Sequence, residues 1–210
     1  MNGYPEQKLL PPQIQKILAK DKENKVRYFL TFNKELLPEI QIALAHDENE
    51  MVRMYLSHNP TLCLKAQNIL IKDSKWIQAS LAANPNLDES LQDFLATSID
   101  DDVRAGLARN PRLPLRVQRH LVRDIMSAVR IALADNENVA PEMQAILAED
   151  VSQDVLEALV KNRNLDMAAG LILSDKCGHE FLRKQNRSFY DGLIEQINLN
   201  STLGLDNLIG

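Results

Sequence analysis

Apolar positions in this chain repeat on two scales. The phrases VRYFLTFN (26–33), VRMYLSHNP (52–60), IQASLAANP (77–85), VRAGLARNP (103–111), VRIALADN (129–136) and VLEALVKN (155–162) share one pattern. Their leading residues, Val26, Val52, Ile77, Val103, Val129 and Val155, lie 26 residues apart with one step of 25. A leucine follows each of them four residues later: Leu30, Leu56, Leu81, Leu107, Leu133 and Leu159. An i, i+4 apolar pair forms one stripe of a helix, so each phrase predicts a short helix A. Asparagine comes next in every copy, at Asn33, Asn59, Asn84, Asn110, Asn136 and Asn162, and proline follows three of them. A residue before proline avoids the helical region. Helix A is therefore expected to stop there, with Asn either capping free carbonyls or opening the next turn.

A second apolar column, Leu36, Leu62, Leu87, Leu113, Val139 and Leu165, precedes a helix B that often opens on proline (Pro12, Pro38, Pro114, Pro141). Proline in a first turn sacrifices no intrahelical bond. Helix B carries a glutamine column (Gln15, Gln41, Gln67, Gln92, Gln118, Gln144) and a leucine column from Leu18 to Leu173. An aspartate follows in most copies (Asp21, Asp47, Asp73, Asp124, Asp150) and reads as an N-cap, with Asp47 and Glu50 as a capping box. Neither helix can bury its stripe alone, so neighbouring repeats must stack. The expected fold is all-α. An N-terminal arm or cap occupies 1–11, six two-helix repeats occupy 12–175, and a helical cap and tail occupies 176–210. The apolar tail 201–210 either tucks back onto the array, the favoured account, or is a docking peptide.

These columns resemble the leucine-rich repeat variant family. The phrase V-R-x-x-L-A-x-N-P-x-L, followed by Q-x-x-L-A-x-D, stands nearly complete in VRAGLARNPRL (103–113) and QIALAHDENEMVR (41–53). The likeness spans about residues 12–175. It implies a right-handed superhelical solenoid of alternating α- and 3₁₀-like helices. The repeat here is slightly longer than the family's, which predicts a fully α helix B. The founding family's N-terminal cysteine cluster, which binds an iron–sulfur centre, has no counterpart before Cys63, so no redox role is carried over.

Composition narrows the functional classes. Apolar residues make up 45% of the 210 residues and aromatics 5%, so the interior is built from Leu, Ala, Ile and Val. With 24 basic and 29 acidic side chains the net charge is −5, which disfavours general affinity for nucleic acid or anionic membrane. Cys63 and Cys177 form neither a disulfide framework nor a metal-ligand spacing, and a cytoplasmic location is the expectation. The first residues lack a secretory signal pattern, and no apolar run has membrane-spanning length.

Candidate chemistry is sparse. Arg27, Arg53, Arg104 and Arg130 follow the column valine, with Gln78 and Leu156 breaking the series. Recurrence in repeat after repeat favours a structural ladder, in which each Arg pairs with an Asp or turn carbonyl, over a groove for an acidic partner. The sharper feature is non-repetitive: Arg112, Arg116, Arg119 and Arg123 share one helix face, with Arg109 and His120 nearby. A solvated outer face is the favoured account of it, and an anionic partner the sharper one. Asp100–Asp102 reads as an N-cap. The histidines have no motif-spaced nucleophile or metal partner, so no catalytic residue, metal or cofactor is expected. The expected function is a non-enzymatic scaffold that binds a protein partner through an extended surface. The alternative is a nucleic-acid-binding helical-repeat protein, or an enzyme like the DNA glycosylases built of HEAT-like repeats.

Overall fold

A computed structural model describes residues 10–202, all helical apart from turns. The fifteen helices are α1 Pro12–Leu18, α2 Asn24–Leu30, α3 Pro38–Ala45, α4 Glu50–Ser57, α5 Leu64–Leu70, α6 Lys75–Ala82, α7 Glu89–Ala96 and α8 Asp101–Ala108. They continue as α9 Leu115–Leu121, α10 Ser127–Ala134, α11 Pro141–Ala148, α12 Gln153–Lys161, α13 Met167–Cys177, α14 His179–Gln185 and α15 Arg187–Thr202. Even numbers from α2 to α12 are the A helices, and odd numbers from α1 to α13 are the B helices. Helix B is α throughout, and three of the four predicted prolines are its first residue; Pro114 is instead the N-cap of α9.

Packing is between neighbouring and next-neighbouring helices, such as α3 with α4 and α5, or α11 with α12 and α13. The chain divides into two compact halves, Met1–Arg112 and Leu113–Gly210, although the apolar columns run past that point unchanged. In both halves the Val and Leu columns are the core: Val52, Leu56, Ile77, Leu81, Val129, Leu133, Val155 and Leu159 are all fully buried. At about 25 cal/mol per Å² of apolar surface removed from water, these stripes supply the main drive for stacking. In the N-terminal half, α6 and α8 approach closely because Gly106 has no side chain. A Cβ there would overlap the Ala79 backbone carbonyl.

Two polar columns tie the stack together through hydrogen bonds that span a whole repeat. Asn59 Nδ2 donates to the carbonyls of Thr31 (2.7 Å) and Asn33 (2.9 Å), and Asn84, Asn110 and Asn162 do the same one repeat back. Each Oδ1 meanwhile accepts the N–H two residues on, as at Thr61 and Asn86, which shapes the turn after helix A. The asparagine is thus both the local turn-former expected of it and a cross-repeat clamp. Glutamine clamps forward. Gln41 Nε2 donates to its own Leu36 carbonyl (2.8 Å) and to Thr61 (3.0 Å), while its Oε1 accepts from the Cys63 N–H (2.6 Å). Gln15, Gln67, Gln118 and Gln144 repeat that pattern. Gln92 is the exception: its buried Oε1 has no donor.

Two local expectations change. None of the column aspartates is an N-cap: the caps of α2, α4, α6, α10 and α12 are Glu23, Asn49, Ser74, Met126 and Ser152, and Asp47 turns instead to an arginine and to the Asn49 N–H. The array also continues beyond 175: Asn186 Nδ2 donates to the Val160 carbonyl (2.7 Å), a seventh rung following α14. Gly178 makes the α13–α14 junction with φ of 87°, in the left-handed region. The segments 1–9 and 203–210, which include most of the expected arm and the tail, lie outside the described residues.

Candidate interaction surface

Three of the four ladder arginines are anchored at both ends. Arg27 Nη1 donates to the Asp21 carbonyl of its own turn (2.8 Å), while Nε and Nη2 grip the Asp47 carboxylate one repeat on (2.6 and 2.9 Å). Arg53 holds Asp73, and Arg130 holds Asp150, with the same bidentate geometry. Arg104 bonds the Ser98 carbonyl at 2.7 Å and has further interactions. Burial alone would raise the carboxylates, but the arginine hydrogen bond, a backbone N–H and the guanidinium charge outweigh it. Asp47, Asp73 and Asp150 are accordingly held below the ordinary carboxylate range. Arg27, Arg53 and Arg130 serve as struts, with their donors spent inside the fold.

The other arginine group falls on both halves. Arg109 and Arg112 close the N-terminal half; both are exposed, and Arg112 donates to Asn86 Oδ1 at 2.9 Å. In the C-terminal half Arg116 and Arg119 are exposed on α9, and Arg123 is exposed just after it. Arg116 is engaged in further interactions. His120 is exposed beside Arg119.

Sequence patterns gave no warning of a surface on the N-terminal half. No aromatic side chain belongs to the buried core of the described residues. Four of them instead cluster on α2, its C-terminal turn and α4. Tyr28 stands edge-on to Tyr55 (ring centroids 4.5 Å apart), Phe32 (5.1 Å) and Phe29 (5.0 Å), and Tyr55 continues to His58. Phe29 and Phe32 remain 67% and 49% exposed. Burial and the bond to Tyr55 push the Tyr28 phenol up. The columns are silent here because these residues occupy the positions between them.

Other chemistry is limited among the described residues. No three metal-ligating side chains cluster. Ser174 Oγ lies 2.8 Å from His179 Nδ1, but Ser174 is buried. Cys177 is half-buried and burial pushes its thiol up, away from the reactive thiolate. No helix is long and apolar enough to cross a membrane. No protein family, curated protein or solved structure matches this chain.

Proposed function

We propose that this chain is a non-catalytic helical-repeat scaffold of the leucine-rich repeat variant type, a right-handed solenoid that binds a protein partner in the cytoplasm. The carrying observation is the Tyr28–Phe29–Phe32–Tyr55 cluster, in which two half-buried tyrosines support the exposed rings of Phe29 and Phe32. None of its rings belongs to the fully buried Leu/Val core, and exposed aromatics such as Phe29 and Phe32 are what protein interfaces use as anchors. Two free cysteines fit a reducing compartment.

The test is affinity capture from the native host with wild type and with Phe29→Ser/Phe32→Ser. The double variant is expected to melt within a few degrees of wild type, because both rings are solvated, yet to lose the captured protein. Identical captured proteins would overturn the reading. So would salt-dependent binding of duplex DNA that disappears in Arg116→Ala/Arg119→Ala.

A further inference from the structure

The arginine ladder is interrupted twice, and only one gap stays open. In intact rungs Nη1 serves a pair of adjacent turn carbonyls: Asp21 and Lys22, Asp47 and Glu48, Ser98 and Ile99, Asp124 and Ile125. In the third repeat Gln78 replaces the arginine and its Nε2 still donates to the Asp73 carbonyl at 3.0 Å. In the sixth repeat Leu156 has no donor, and no described side chain reaches the carbonyls of Asp150 or Val151. A cavity of about 440 Å³ opens at that turn, lined by Asp150, Val151, Gln153, Leu156, Lys176, Cys177 and Phe181. We propose that this cavity is a docking slot for a guanidinium, the arginine side chain of a protein partner, resting on the reading of the chain as a protein-binding scaffold.

The same molecule shows four times what that turn holds. Two carbonyls accept one planar Nη1 at about 2.7–3.4 Å in the intact rungs. Phe181 adds a ring of the kind on which a guanidinium stacks, and Leu156 an apolar wall for the methylene stem. Charge does not bar the ligand. The Asp150 carboxylate is held by Arg130 (2.6 Å), Lys176 is paired with Glu149 (3.5 Å), and Asp154 beside Gln153 is exposed without a cation. A phosphate or carboxylate would instead face two carbonyl oxygens, so the geometry selects a donor-rich cation over an anion.

The probe is N-acetyl-arginine-methylamide, titrated into the full chain and followed by amide shifts in NMR spectra. Shifts should saturate at residues 150–153 and 176–181, and the norleucine analogue should produce none there. Leu156→Arg, which fills the slot in cis, should abolish them. Should that variant not fold, Lys176→Asp serves as the second arm, because it restores a carboxylate 20 residues after position 156. It should tighten arginine binding about tenfold, the size of one charge-assisted pair. No shift in wild type or Lys176→Asp, or equal shifts from norleucine, would overturn the slot. The Phe29/Phe32 capture assay reads the scaffold function separately, so the two can fail independently.

Discussion

The third and sixth repeats lose the same arginine and resolve the loss differently. At the third, Gln78 keeps one bond to the turn carbonyl, and the residue 20 positions on is Ser98 rather than aspartate. Lys75 adds a separate link forward, to Asp100 and Asp102 at 3.4 and 3.3 Å. At the sixth, Leu156 and Lys176 occupy the two ends and the turn is left open. In both cases the carboxylate disappears together with its guanidinium. An aspartate kept there, half-buried and without its cation, would carry a desolvation cost with nothing to offset it. A rung of the ladder is dispensable only when both of its ends go together.

The largest effect should come from breaking one end of an intact rung. Asp73→Ala strands the Arg53 guanidinium and should lower unfolding free energy by about 3 kcal/mol in urea titrations. Lys176→Ala, at the broken rung, should cost under about 0.5 kcal/mol. Equal costs would erase the contrast. Next in size is Gln78→Leu, which makes the third turn chemically like the sixth. The loss should be about 1 kcal/mol, and the arginine probe should now shift the Asp73 and Ser74 amides. The smallest effect concerns acid. The folded carboxylates of intact rungs lie below their unfolded values, so their contribution is full above about pH 4 and fades as pH falls through the depressed folded values. Stability measured from pH 5 down to pH 2 should fall less steeply in Asp73→Ala than in wild type.

The helical skeleton was legible because it rests on local apolar periodicity: Val26 with Leu30, or Val129 with Leu133, declares a helix face without help from the rest of the chain. Asn and Gln were visible as columns but not as clamps, since their bonds cross 19 to 28 residues to backbone groups that carry no residue code. The arginine partners did leave a trace, namely the joint loss of Arg and Asp at Gln78/Ser98 and Leu156/Lys176. Asp47 was misplaced as a cap because Asn49 was an equally good local candidate, and only the distant Arg27 decides between them. The aromatic face and the cavity at Leu156 were illegible for a shared reason. Both lie where the repeat pattern is absent, and an absence acquires shape only once the flanking helices are packed.

The cross-repeat clamps also bear on how the chain folds. Asparagine reaches back 25 to 28 residues, glutamine forward 19 to 22, and arginine forward 20. Within each half, then, the loop closed by each new clamp has nearly constant length however many repeats already stand. The entropy of closing a loop grows with its length, so adding a repeat to a formed one costs the same at every step. Such a chain can fold by extension from any nucleated pair of repeats, and its rate should depend on the best pair rather than on the number of repeats.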